Sequence, residues 1–147
     1  MTGPLPFFVY GTLRPGGPNH ALFLAGRTVA EEPALLPGAL LYGGPGYPYA
    51  VDDPSGAGRV AGEVVTARPG EYARLLAELD RLEEYRAPGD LRNLYERVVR
   101  EVVRPGGGSP LPAWVYVAGA EVARGLLTGG ALVPDGDWAG RRTAGPA

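Results

Sequence analysis

FFVYGTLRPGGPN, Phe7 to Asn19, is the stretch from which the rest of the chain is read: an apolar run stops at a tyrosine and becomes a glycine-rich loop carrying Thr12 and Arg14. Phe7, Phe8, Val9 and Tyr10 are aromatic or β-branched and bounded by Pro4, Pro6 and Gly11, so they are expected to form a short buried strand. Gly11 lacks a Cβ and lets the backbone turn sharply or approach a ligand. Pro15, Gly16, Gly17 and Pro18 then interrupt regular structure until Asn19, a good N-cap for a short helix from His20 to Ala25. Two readings of the loop are open. Its amides can converge on an anion with Arg14 nearby, or it is a plain tight connection between strand and helix. It is not a nucleotide-binding P-loop, because the Gly-Lys-Ser/Thr ending is absent and the chain contains no lysine.

Outward from this stretch, the prolines and glycines mark many short elements. Arg27 to Glu32 and Ala34 to Tyr42 read as strands broken at Pro33, the second with a bend expected at Pro37 and Gly38, and Tyr49 to Asp52 and Arg59 to Ala67 read as further strands. Pro69 opens a helix over Gly70 to about Glu84, tolerated there because its missing N–H has no helical partner to lose. Leu94 to Arg104 and Pro112 to Ala118 form a hairpin, Glu121 to Leu127 a short helix, and PDGDW closes the domain. Strands on both sides of one main helix predict an α+β fold, a small mixed or antiparallel β-barrel flanked by a few helices. The 147 residues are expected to form a single domain over 1–147, with its core at about 5–138 and a tail at 139–147.

Composition narrows the function classes. A net charge of -2, with arginines dispersed rather than striped, argues against nucleic acid as a partner. No run of apolar residues is long enough for a membrane span, and MTGPLPFF lacks the features of a signal peptide, so a cytoplasmic location is expected. Zero cysteines exclude thiol catalysis and cysteine-ligated zinc. One histidine, His20, reads as a surface or cap residue, no metal-ligand spacing is present, and Ser55 and Ser109 lie in loops without a triad motif.

The helix supplies the candidate acid. At about 100° per residue, Tyr72, Leu75, Leu76, Leu79 and Leu82 share one apolar stripe, and Glu83 falls inside it. Burial, the negative end of the helix dipole and the neighbouring Glu84 would each raise its pKa toward the range of a general base. The plainer reading is a frayed last turn that returns Glu83 to water. Asp80 lies on the flank of the stripe and is a weaker candidate. On the strand after the helix, Tyr95 and Arg97 share a face. Either they form the wall and the orienting cation of a site, or Arg97 and Glu101 are surface charges and Tyr95 a core-margin residue.

VYGTLRPGGPNH, GEVV at 62–65, LDRLEEY at 79–85, LYERVVREVV at 94–103, WVYV at 114–117 and PDGDW at 134–138, taken in order over nearly the whole chain, resemble the γ-glutamylcyclotransferase-like, or AIG2-like, family. The resemblance implies a small barrel flanked by helices that cleaves γ-glutamyl amides to 5-oxoproline and a free amine. It implies that Tyr10, Gly11, Thr12 and Leu13 hold the γ-glutamyl group through main-chain amides and that Glu83 accepts the proton; the strand reading above adds Tyr95 as a candidate wall of the substrate site. No cofactor is implied, because the substrate's own α-amine attacks its γ-carbonyl. The chain departs from the family twice: Glu84 stands where glycine is frequent after the acid, and RAPGDLRN before Leu94 lengthens the connection. A binding module with the same pocket, or a hydrolase or ligase of another amide, are the alternatives.

Overall fold

The computed structural model describes residues 4–138, so the expected tail at 139–147 lies outside the described residues. Five strands, β1 (Phe7–Val9), β2 (Thr28–Pro37), β5 (Arg59–Ala67), β6 (Tyr95–Val102) and β7 (Leu111–Ala118), form one sheet in the order β2-β5-β1-β7-β6. Its β1–β7 pair is parallel and the others antiparallel. A smaller sheet, β4-β3-β8, is built from β3 (Ala39–Gly43), β4 (Pro48–Asp52) and β8 (Ala131–Leu132). The described residues also form the α-helices α1 (His20–Phe23), α2 (Tyr72–Leu82) and α3 (Ala120–Gly129), with a 3-10 turn at Pro69–Glu71 leading into α2, in a mixed α+β domain. The large sheet curls without closing; β2 approaches β6 at its end, where Leu35 and Val103 exchange backbone hydrogen bonds of 2.8 and 2.9 Å.

Alternation along β1 divides the core in two. Phe8 and Tyr10 join Leu36, Leu41, Val60, Val64 and Val115 between the sheets. Phe7 and Val9 turn to the opposite face, where Leu75 and Leu79 of α2 pack with Leu13, Tyr95 and Tyr116. β1 is therefore buried on both faces and paired on both edges, which is why an uninterrupted apolar run is the right sequence for it. Its final residues deliver the glycine-rich loop to the C-terminal end of α2. Gly62 permits the close approach of β5 to the end of β1, its antiparallel neighbour, since a Cβ there would run into the carbonyl oxygen of Val9.

Two expected boundaries are corrected. The break at Pro33 does not occur, because β2 is an edge strand and a residue without an N–H loses no ladder bond on the open side. The chain turns at Gly38, where a bend was expected, and its φ of 75° suits glycine. Asn19 does not cap α1 with its side chain; its Nδ2 donates to Thr12 Oγ1 at 2.9 Å and ties the loop together.

Candidate active site

α2 ends in a Schellman arrangement. The Glu84 amide donates to the Arg81 carbonyl at 3.2 Å and the Tyr85 amide to the Asp80 carbonyl at 2.9 Å, with Glu84 in the left-handed region at φ 55°. This makes Glu83 the C-cap. Its amide still reaches Leu79, so its side chain continues the apolar stripe for one residue beyond the helix. The Glu83 carboxyl makes no hydrogen bond or ion pair with a described residue. Burial raises its pKa from the usual 4.5 to about 7. Glu84, expected to add to that rise, is exposed and is not among its causes.

Glu83 lines a cavity of about 290 Å3 whose walls also include Tyr10, Gly11, Thr12, Leu13, Tyr95 and Tyr116. Glu83, the YGTL segment and Tyr95, which the sequence pointed to as a site, therefore meet in one space. Among the described residues, the amides of Gly11, Thr12 and Leu13 donate to no protein acceptor. The loop is held by other bonds: Arg14 N–H to Gly11, Gly17 N–H to Arg14 and Asn19 N–H to Thr12, at 3.1, 2.7 and 2.9 Å. Gly11 is required by close approach rather than by a left-handed turn, because a Cβ there would sit 2.7 Å from Cδ of Pro48. The Pro48 carbonyl in turn accepts the Tyr95 hydroxyl at 2.6 Å.

The phenols form a neutral scaffold. Tyr10 donates to the Tyr116 carbonyl at 2.6 Å and accepts from the Ala50 amide at 3.0 Å. The Tyr95 ring stacks on Tyr49 with centroids 4.8 Å apart. Burial pushes the phenols of Tyr10, Tyr95 and Tyr116 above their ordinary range, so none of them ionises near neutral pH. That leaves Glu83 as the cavity residue whose titration is brought by burial to neutrality.

Both arginines singled out in the sequence have other tasks. Arg14 donates to Glu63 at 2.8 and 3.0 Å and to Asp137 at 2.7 Å, fastening the loop to β5 and the PDGDW segment, and it does not line the cavity. Arg97 donates to Asp80 at 2.8 and 3.2 Å, with its guanidinium carbon 4.2 Å from the Trp114 ring centroid and 5.1 Å from that of Tyr85. Neither the cavity cation nor the pairing with Glu101 is what the fold uses. Asp80 also accepts the Tyr116 hydroxyl at 2.6 Å, so it braces a cavity wall from behind. His20 Nε2 lies 2.8 Å from Glu31, consistent with a surface role. Among the described residues no group of three or more His, Asp or Glu could hold a metal ion.

Asn19, Tyr47, Pro48, Leu94 and Tyr116 are cavity residues that the sequence reading did not single out. No local pattern marks them, since they arrive from four separate segments. The long connection before Leu94 is ordered by buried Asn93, which accepts from Arg86 N–H at 2.7 Å and donates to the Ala87 carbonyl at 2.8 Å and to Glu96 at 3.1 Å. Replacing Asn93 by Ala is expected to cost about 2 kcal/mol in urea unfolding, because buried partners lose their bonds, and a loss below about 0.5 kcal/mol would contradict this role.

Fold and cavity together define a small α+β domain with one cavity lined by two unpaired acids, Glu83 and Glu84, and by residues 11–13, whose main-chain amides are free among the described residues. The model of the family described as gamma-glutamyl cyclotransferase, AIG2-like, matches residues 7–140, and the chain belongs to that family. It is 38% identical over 110 residues to a gamma-L-glutamyl-butirosin B gamma-glutamyl cyclotransferase of Niallia circulans, an alignment covering 75% of this chain and 64% of that protein. Among solved structures, YkqA from Bacillus subtilis superposes with a TM-score of 0.65 at 24% identity, covering 95% of this chain and 41% of the other. An AIG2-like protein from Mus musculus gives a TM-score of 0.60 at 24% identity, covering 80% of this chain and 81% of the other. No described helix is long and apolar enough to cross a membrane.

Proposed function

We propose that this protein is a cofactor-independent γ-glutamylcyclotransferase that converts a γ-glutamyl amide into 5-oxoproline and a free amine. The observation that carries the reading is the unpaired Glu83 carboxyl, with a pKa of about 7, on the wall of the cavity that residues 11–13, whose amides have no protein acceptor among the described residues, also line. In this reading those amides anchor the γ-glutamyl end of the substrate. Glu83 takes a proton from the substrate's α-ammonium group. The freed amine attacks the γ-carbonyl carbon, the ring C–N bond forms, and the original amide C–N bond breaks. Glu83 passes its proton to the departing nitrogen, and the second proton, shed by the new ring nitrogen, follows the same route, so the amine leaves as an ammonium ion and Glu83 ends as the carboxylate it began as. Holding the two reacting ends of one molecule together replaces a nucleophile and supplies most of the advantage. The Niallia circulans relative, which by its name acts on a γ-L-glutamyl amide, supports the same chemistry.

The test is a panel of γ-glutamyl amines and γ-glutamyl amino acids followed by mass-spectrometric detection of 5-oxoproline. At least one member is expected to release it without added cofactor. For that substrate kcat/KM is expected to rise as pH increases through about 7 and then level off, because the acid must be ionised to act as base. A profile that stays flat across that pH would remove Glu83 from the role. Thermal stabilisation by the panel without any 5-oxoproline would favour a binding module instead.

A further inference from the structure

We propose that Glu84 is a specificity-determining residue that selects γ-glutamyl amides whose leaving amine carries a second, positively charged group. The inference rests on the cyclotransferase reading and concerns the other half of the substrate. Glu84 lines the cavity, is exposed, and its carboxylate makes no hydrogen bond or ion pair with a described residue. Its backbone is fixed from both sides: its N–H donates to Arg81 and its carbonyl accepts from Leu94, each at 3.2 Å. A φ of 55° is a conformation that glycine adopts freely and glutamate does not, and such a cost persists at positions where the side chain has a use.

The charge of the cavity points the same way. Its lining residues include Glu83 and Glu84 and no arginine, lysine or histidine. The cations behind its walls are committed, Arg14 to Glu63 and Asp137 and Arg97 to Asp80. Arg81 and Arg86, near Glu84 in sequence, do not line the cavity and form no ion pair with it among the described residues. Both carboxylates also stand at the C-terminal end of α2, where the aligned peptide dipoles favour a cation. The rings of Tyr47 and Tyr95 complete surroundings that suit an ammonium group. A carboxylate on the leaving amine, as in a γ-glutamyl amino acid, would face two acids with no counter-charge. The substrate class is therefore a γ-glutamyl conjugate of a diamine, polyamine or amino sugar.

Three probes of similar length separate charge from shape: γ-glutamyl conjugates of putrescine, pentylamine and γ-aminobutyrate. In wild type the putrescine conjugate is expected to exceed the pentylamine conjugate in kcat/KM by about fivefold, the scale an exposed ion pair supports, and the γ-aminobutyrate conjugate to be poorest. Glu84→Gln should bring the putrescine-to-pentylamine ratio to within about twofold, Glu84→Asp should retain it, and added salt should erode it by screening. A ratio that persists in Glu84→Gln, or a wild type that prefers the γ-aminobutyrate conjugate, would overturn the proposal. Because both substrates share any damage to folding or chemistry, the ratio responds only to the recognition step. If neither these three nor the wider panel yields 5-oxoproline, the cyclotransferase reading fails. Calorimetric Kd values for the same compounds on wild type and Glu84→Gln then decide the charge selection independently.

Discussion

Glu83→Gln is expected to abolish turnover while making the folded protein more stable at alkaline pH. The amide keeps the size of the side chain but cannot accept and return a proton, so kcat for 5-oxoproline release should fall by about a thousandfold, with the loss carried mainly by kcat rather than KM. The stability effect follows from the direction of the pKa shift. A carboxyl whose pKa is raised from 4.5 to about 7 on folding holds its proton more tightly in the native state. Stability linked to it is full below the unfolded pKa and is lost as pH rises through the folded one. At pH 8 the ionised, desolvated carboxylate therefore costs wild type about 3 kcal/mol, and Gln removes that cost. Urea unfolding should show the variant more stable at pH 8 and equal to wild type near pH 4. A variant less stable than wild type at pH 8 would mean that Glu83 is held by partners rather than desolvated.

Asp80→Ala is expected to be the most damaging substitution away from the reacting groups. Arg97 is partly buried between the rings of Tyr85 and Trp114, and Asp80 meets both its charge and the Tyr116 hydroxyl. Removing the carboxylate leaves a guanidinium and a phenol in a poorly solvated place, at a cost of about 3 kcal/mol. Asp80→Asn, which still accepts a hydrogen bond from the phenol, should cost less. Pairing Asp80→Leu with Arg97→Met should recover much of the loss, since no charge is then stranded. Urea unfolding of the set measures this; a single-variant cost under about 1 kcal/mol would show the pair to be an ordinary surface bridge. Because Tyr116 lines the cavity and its carbonyl holds Tyr10, the single variant should also lower turnover.

What could be read from the residues was what depends on neighbours in sequence. Alternation placed β5 at its observed bounds and paired β6 with β7, and the helical period carried Glu83 onto the same face as Leu75 and Leu79. What could not be read depends on distant partners. Arg14 finds Glu63 and Asp137, 49 and 123 residues away, so its proximity to the loop in sequence was a poor guide to its work. Pro33 was misjudged because edge or centre is a property of the sheet, not of the strand. β8 has two exposed residues and no pattern to find, and Pro48 reaches Gly11 only through the second sheet. The departure at Glu84 was visible as a letter, but its meaning came from a positive φ and a position on the cavity.

The central claim is that the substrate closes on itself with Glu83 as base. Turnover of an accepted γ-glutamyl amide in oxygen-18 water tests it most directly. The account predicts 5-oxoproline carrying no label in its ring carbonyl and no free glutamate. Glutamate labelled in its γ-carboxylate would show that water, not the α-amine, attacks the carbonyl, and would contradict it.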